Sequence, residues 1–218
     1  MTPADTSKAR LQESWPHVYE PGRDTSFTVL ALHGTGGNEH DLVPLVRALA
    51  PGAAILSPRG RVTEHGMPRY FRRLAEGVFD EADLRARTHE LATFITVAAA
   101  TYDFQPSKLV ALGFSNGANI ATSLLLLHPD ALAGAALLRP MIPFTPDELP
   151  DLSTKDLLLS AGRHDPLVSA GEVEKLARLL EDARARVTLA WQEAGHGLVE
   201  GELPVIGRWL GGFAEVES

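Results

Sequence analysis

The chain has 218 residues, 44% of them hydrophobic and 22% charged, which allows a sizeable buried core and argues against disorder. Its net charge of −8 and pI of about 5.5 exclude a basic footprint, and with it nucleic acid or an anionic membrane as the main partner. Cysteine is absent, which removes disulfides, thiolate nucleophiles and thiolate–metal sites.

The first 26 residues are polar, carry Pro3, Pro16 and Pro21, and contain no apolar targeting core. The longest apolar stretches, such as 120–127, are too short to span a bilayer. A soluble cytoplasmic protein is the expectation. No repeat, low-complexity segment or linker divides the chain, so residues 1–218 read as one domain, and the sequence leaves a homodimer open.

Residues 1–24 read as an irregular lead-in with a short edge strand around 17–20. Residues 27–32 form a near-continuous apolar run, the pattern of a strand buried on both faces. It ends in the glycine-rich His33-Gly34-Thr35-Gly36-Gly37-Asn38. A helix starting near 38–41 carries Leu42, Leu45, Val46 and Leu49 at helical spacing and stops at Pro51-Gly52. Residues 53–56 make the next strand, before a Ser57-Pro58-Arg59-Gly60 loop. Residues 60–83 mix arginines with Tyr70, Phe71 and Phe79 without a clean period, and read as a loop or short-helix flap outside the core. A long helix follows over 83–102, with one apolar stripe.

At 109–121 a β-type run passes through Gly113-Phe114-Ser115-Asn116-Gly117 directly into a helix that ends near Leu127. Gly-x-Ser-x-Gly alone is a weak signal, but a strand before it and a helix after it suit a serine nucleophile. The two glycines permit a turn too sharp for residues with a Cβ, leaving the hydroxyl clear of the sheet. Strands over 133–138, 156–160 and 187–191 follow, with an amphipathic helix over 172–185 and a closing helix from Leu203 to Phe213. Short apolar strands alternating with helices imply right-handed βαβ units and a mostly parallel sheet with helices on both faces. Chemistry in such sheets sits at the carboxyl ends of strands.

Ser115 needs a base, because a free hydroxyl is a poor nucleophile near neutral pH. Of eight histidines, His196 alone follows the last strand with glycines on both sides, room for the ring to approach a serine. Asp165 follows the penultimate strand and is the candidate to orient that base; its bland reading is an Asx turn before Pro166. The oxyanion of an attacked carbonyl needs two backbone donors. Asn116 N–H is one, and Thr35 N–H is the other, with Gly36 in reserve. His33 reads as structural. Arg69, Phe71 and Arg72 are the candidate substrate contacts in the flap. Arg69, Arg72 and Arg73 read most simply as an ordinary solvated charged face; if they face the mouth they favour carboxylate-bearing esters or acidic leaving groups.

The set His33-Gly34-Thr35-Gly36-Gly37, Gly113-Phe114-Ser115-Asn116-Gly117, Asp165 and Gly195-His196-Gly197, in that order, resembles the phospholipase/carboxylesterase family of α/β-hydrolases. The resemblance runs from about residue 27 to 213. The Gly-Thr-Gly-Gly-Asn-Glu-His-Asp stretch from Gly34, with Pro68-Arg69-Tyr70-Phe71, is closest to a branch of small bacterial carboxylesterases. The acyl-protein thioesterase branch usually has Gln where Asn116 stands, which points away from acyl-protein substrates. The resemblance implies an α/β-hydrolase fold, a Ser115–His196–Asp165 triad, small-molecule esters of short to medium acyl chain, and no cofactor. Weighed against it are acyl thioesters or lysophospholipids on the same triad, a lactone or carbon–carbon hydrolase, a non-catalytic ligand-binding protein of this fold, and a metal site of His33, His40 and Asp41.

Overall fold

The computed structural model describes residues 3–23 and 27–214. Seven strands form one sheet: β1 (His17–Glu20), β2 (Thr28–Leu32), β3 (Ala54–Pro58), β8 (Leu109–Phe114), β9 (Gly134–Leu138), β10 (Asp156–Gly162) and β11 (Arg186–Gln192). Their spatial order is β1-β3-β2-β8-β9-β10-β11. Only β1 runs antiparallel, pairing His17 with Pro58 at the edge. β8 lies at the centre, with Gly113 opposite Leu32 on one side and Leu137 on the other.

Alternate residues along each strand feed opposite faces. Leu30, Leu32, Leu109 and Ala111 pack toward α3 (Glu81–Tyr102), α4 (Asn116–Leu127) and α5 (Ala170–Asp182). Val29, Ala31, Val110 and Leu112 pack toward α2 (Val43–Leu49) and α6 (Leu203–Gly211). Both faces being covered explains why these strands read as continuous apolar runs. Burying each such leucine is worth about 1.5–3 kcal/mol. The most enclosed helix is α4, buried from Asn116 to Leu126, with α3 laid across it through a 2.8 Å hydrogen bond between the hydroxyls of Thr88 and Ser123. The mostly parallel sheet with helices on both faces, the α/β-hydrolase arrangement expected from the sequence, is the fold observed.

Two stretches depart from expectation. The lead-in is not irregular, since Pro3–Ser14 forms a helix, α1. Its own pattern is weak, and the element is held from outside. Leu11 and Trp15 are buried, the Trp15 ring lies 4.8 Å from Phe94 of α3, and its Nε1 donates to Arg59 O at 2.8 Å. The flap is neither a loop nor a short helix. It folds as two hairpins, β4 (Val62–Glu64) with β5 (Met67–Arg69) and β6 (Arg73–Ala75) with β7 (Val78–Phe79). Strands of two or three residues are too short to show a period in the sequence. Between the hairpins Tyr70 and Phe71 are buried and pin the flap to the core.

Candidate active site

Ser115 stands between β8 and α4 with φ 52° and ψ −112°, a backbone state costing an L-residue about 1–3 kcal/mol. The surroundings enforce it. Ser115 N donates to Leu138 O at 2.8 Å. A Cβ on Gly113 would lie 2.6 Å from Gly117 O, and one on Gly117 would collide with the carbonyl oxygen of Leu32. The glycines are therefore required by the close approach of α4's first turn to the ends of β8 and β2.

The hydroxyl of Ser115 lies 2.9 Å from His196 Nε2, and His196 Nδ1 lies 2.8 Å from Asp165 Oδ2. The structure thus brings together three residues from the loops after β8, β10 and β11. Asp165 also makes the turn expected of it, its other oxygen accepting from Leu167 N at 2.8 Å and Val168 N at 3.2 Å. One carboxylate oxygen shapes the loop and the other faces the imidazole. The Phe114 ring, 5.6 Å from that of His196, flanks it.

Among the described residues, the N–H groups of Thr35 and Asn116 have no acceptor. Gly36 N is already committed to Pro68 O at 2.9 Å. His33 is buried and structural: one ring nitrogen meets Gly34 O at 2.7 Å, and Nε2 accepts from Gly60 N at 2.9 Å. Burial keeps its pKa below the ordinary imidazole value, against the pull of that Gly34 bond. His40 is exposed beside Glu39, and no three metal-ligating side chains converge among the described residues. The neighbouring His164 is exposed and meets Glu193 at 3.2 Å.

A cleft of about 270 Å³ opens over Ser115 and His196. Its walls include Thr35, Arg69, Phe79, Phe114, Asn119 and Met141. Arg69 is buried in the cleft wall and is no part of a solvated face. Its guanidinium donates to Thr35 Oγ1 at 2.8 Å and Phe71 O at 3.2 Å, with Glu64 at 3.3 Å, and burial lowers its pKa. The other two flap candidates are elsewhere. Phe71 is fully buried against Phe79 in the core, and Arg72 faces outward, paired with Asp80 at 3.1 Å. Arg73, the third arginine set against the mouth, does line the cleft, together with Phe79 and Glu76 of the second hairpin, which the sequence did not single out as contacts. The missing signal was the hairpin turn at Gly77 (φ 71°), which reverses the chain and brings Phe79 back beside Arg73.

Sequence reasoning also passed over Arg139, Ser160 and Glu202. Arg139 follows β9 with φ 56°, and its side chain and that of Glu202 have no exposed surface. The guanidinium makes a two-pronged pair with Glu202, both bonds 2.9 Å, and reaches Gly195 O at 3.1 Å and Gly197 O at 2.8 Å. Glu202 also accepts from Ser160 Oγ at 2.5 Å and Val199 N at 2.8 Å. Burial alone would raise the Glu202 carboxyl, but the bonds from Arg139, Ser160 and Val199 outweigh it and hold the pKa low.

Comparison with known proteins agrees with this architecture. The profile of the dienelactone hydrolase family matches residues 64–205. A Bacillus subtilis (strain 168) protein named "Putative hydrolase MhqD" is 48% identical over 193 residues, 88% of this chain and 96% of that protein. The crystal structure of the Bacillus cereus carboxylesterase superposes with a TM-score of 0.92 at 46% identity, covering 97% of this chain and all of the other. A structure of YahD with malic acid has a TM-score of 0.87 at 30% identity, over 91% of this chain and 99% of that one. The chain belongs to the dienelactone hydrolase family and is an ester-hydrolysing enzyme of the carboxylesterase type.

Proposed function

We propose that the protein hydrolyses small carboxylic esters of short to medium acyl chain by two-step acyl transfer through Ser115. The observation that carries the reading is the continuous line from Asp165 through His196 to Ser115 at the floor of an open cleft. Ser115 Oγ attacks the ester carbonyl as His196 Nε2 takes its proton. The N–H groups of Thr35 and Asn116 hold the oxyanion, and His196 returns the proton to the leaving alcohol. Water deprotonated by His196 then attacks the acyl-enzyme, and Ser115 leaves with the proton restored. Asp165 keeps the imidazole in one tautomer and stabilises its cation in both halves. No cofactor enters these steps. We read residues 1–218 as one domain acting in the cytoplasm; among the described residues no helix is long and apolar enough to cross a membrane.

The cleft's size supports the chain-length reading. At about 270 Å³ it has room for a short to medium acyl group but not for a whole palmitoyl chain, and each buried CH₂ is worth about 0.8 kcal/mol. The test is kcat/KM over p-nitrophenyl esters from acetate to palmitate, with thioesters alongside. Specificity is expected to climb over the short chains and then flatten, and a maximum at palmitate overturns the reading. Activity is expected to survive exhaustive chelation.

A narrower reading has its own support. Arg69 stands in the cleft wall, a relative binds malic acid, and the family is that of a lactone hydrolase. Esters or lactones bearing a carboxylate then place that group against the Arg69 guanidinium.

A further inference from the structure

We propose that Arg139 is a positioning residue for His196: clamped by Glu202, it fixes the two carbonyls that bracket the imidazole and holds the ring in line with Ser115 and Asp165. The inference rests on the reading of His196 as the general base.

A guanidinium has five N–H donors in a rigid fork. All five are used here. Nε goes to Gly195 O, Nη1 to Glu202 and Ser160 O (3.2 Å), and Nη2 to Glu202 and Gly197 O. The fork therefore grips the backbone on each side of His196 while its charge is met by a carboxylate that cannot drift. Glu202 is itself fixed by Ser160 Oγ and Val199 N. The network ties the ends of β9 and β10 and the residue that caps the start of α6 to the histidine loop.

That loop needs such a hold. Nothing lies within 4 Å of a Cβ built on Gly197, and only His164 O, at 3.7 Å, within that range of one on Gly195. Its two glycines have no side chains to wedge them in place. On the N-terminal side His164 N donates to Ala194 O at 3.0 Å and the Gly195 carbonyl abuts Gly162, whereas beyond His196 the bond from Arg139 to Gly197 O has no such backing. General stability is a poor explanation for the pair, because apolar residues of similar volume often replace a buried ion pair at no loss. Apolar residues cannot hold two carbonyls at set positions. The left-handed φ of Arg139 is a strained state at the same point.

Arg139→Lys and Glu202→Gln test the proposal. Lys keeps the charge with a single compact ammonium, and Gln keeps the shape with one acceptor. Cooperative thermal unfolding reports folding, and titration with a fluorophosphonate counts competent Ser115. Per competent site, kcat is expected to fall by about 10²-fold, the scale of a misplaced catalytic group, with KM changed by less than about twofold. The acid limb of kcat is expected to move, and the low-field proton resonance of His196 Nδ1–H to broaden or vanish, as the bond to Asp165 loosens. A folded Arg139→Lys enzyme with wild-type kcat, pH profile and resonance overturns the proposal. If that variant does not fold, the same three readouts on Glu202→Gln decide it. His196→Ala separates the two ideas. Activity surviving there defeats the base reading, whereas its loss there beside a fully active Arg139→Lys defeats only the positioning role.

Discussion

Ser115 and His196 lie 2.9 Å apart, yet the two segments that carry them are held by opposite means. The serine turn is wedged. Backbone presses on backbone, α4's first turn against the ends of β8 and β2, so Gly113 and Gly117 admit no Cβ, and Ser115 between them takes up strained dihedrals. The histidine loop is roomy, with open space around Gly197, and directed bonds to a remote arginine fix its carbonyls. Steric crowding fixes a position cheaply wherever two elements already touch. The histidine loop meets backbone on its N-terminal side, where a Cβ on Gly162 would lie 2.3 Å from Gly195 O, but on the side of Gly197 it leaves room for a ring and a substrate, and there its precision comes from hydrogen bonds.

The sharpest break of the pairing is chemical. Ser115→Ala is expected to lower kcat by about 10⁴-fold or more, because members of such a unit fail together. Its unfolding temperature should stay close to that of the wild type. A fluorophosphonate should label the parent at Ser115 alone, and turnover surviving in the variant would end the assignment.

The glycines test the wedge against the open loop directly. Gly117→Ala drives a methyl into the Leu32 carbonyl and is expected to cost at least about 1–3 kcal/mol of stability, the scale of core overpacking. Gly197→Ala meets nothing and is expected to be neutral or stabilising by up to about 1 kcal/mol, through the unfolded chain. Equal losses in urea titrations of both variants would erase the contrast.

In the cleft wall, Arg69→Ala is expected to lower the preference for carboxylate-bearing over neutral esters by about tenfold, the value of one charged hydrogen bond. Arg72→Ala, exposed and turned outward, should leave that ratio unchanged. Comparing kcat/KM for matched ester pairs decides, and an unaltered ratio in both variants would leave Arg69 as a support for Thr35 only.

The smallest expected effect is on stability against pH. Burial depresses the pKa values of His17 and His33 below 6.5, against opposing pulls from their backbone bonds. The unfolded chain then takes up protons first on acidification. Their contribution is complete above pH 6.5 and is lost as the pH falls through the depressed native values. Each kcal/mol lost lowers Tm by about 2–4 °C in a chain of this size. A Tm constant from pH 7.5 to about 5 would contradict this. The carboxylates held low by arginines, Glu39, Glu64 and Glu202, lose their contribution only below 4.5.

Much of this was written locally. The apolar runs of β2, β3, β8, β9 and β10 announce strands buried on both faces, and two glycines two residues from Ser115 announce the turn. Because parallel strands deliver their following loops to one edge, the order Ser115, Asp165, His196 also predicted that the three would meet. Patterns of this kind need only near neighbours in the chain. Other features had no local cause. The helix over Pro3–Ser14 exists through Leu11 and Trp15 packing on α3, and the two flap hairpins through Tyr70 and Phe71 entering the core. Arg139 and Glu202, 63 positions apart, are an ordinary arginine and glutamate in the sequence. Only the tertiary fold removes both from water and aims one at the carbonyls beside His196. Charge buried at a distance leaves no periodic trace, so the hold on the histidine loop could be read only from the structure.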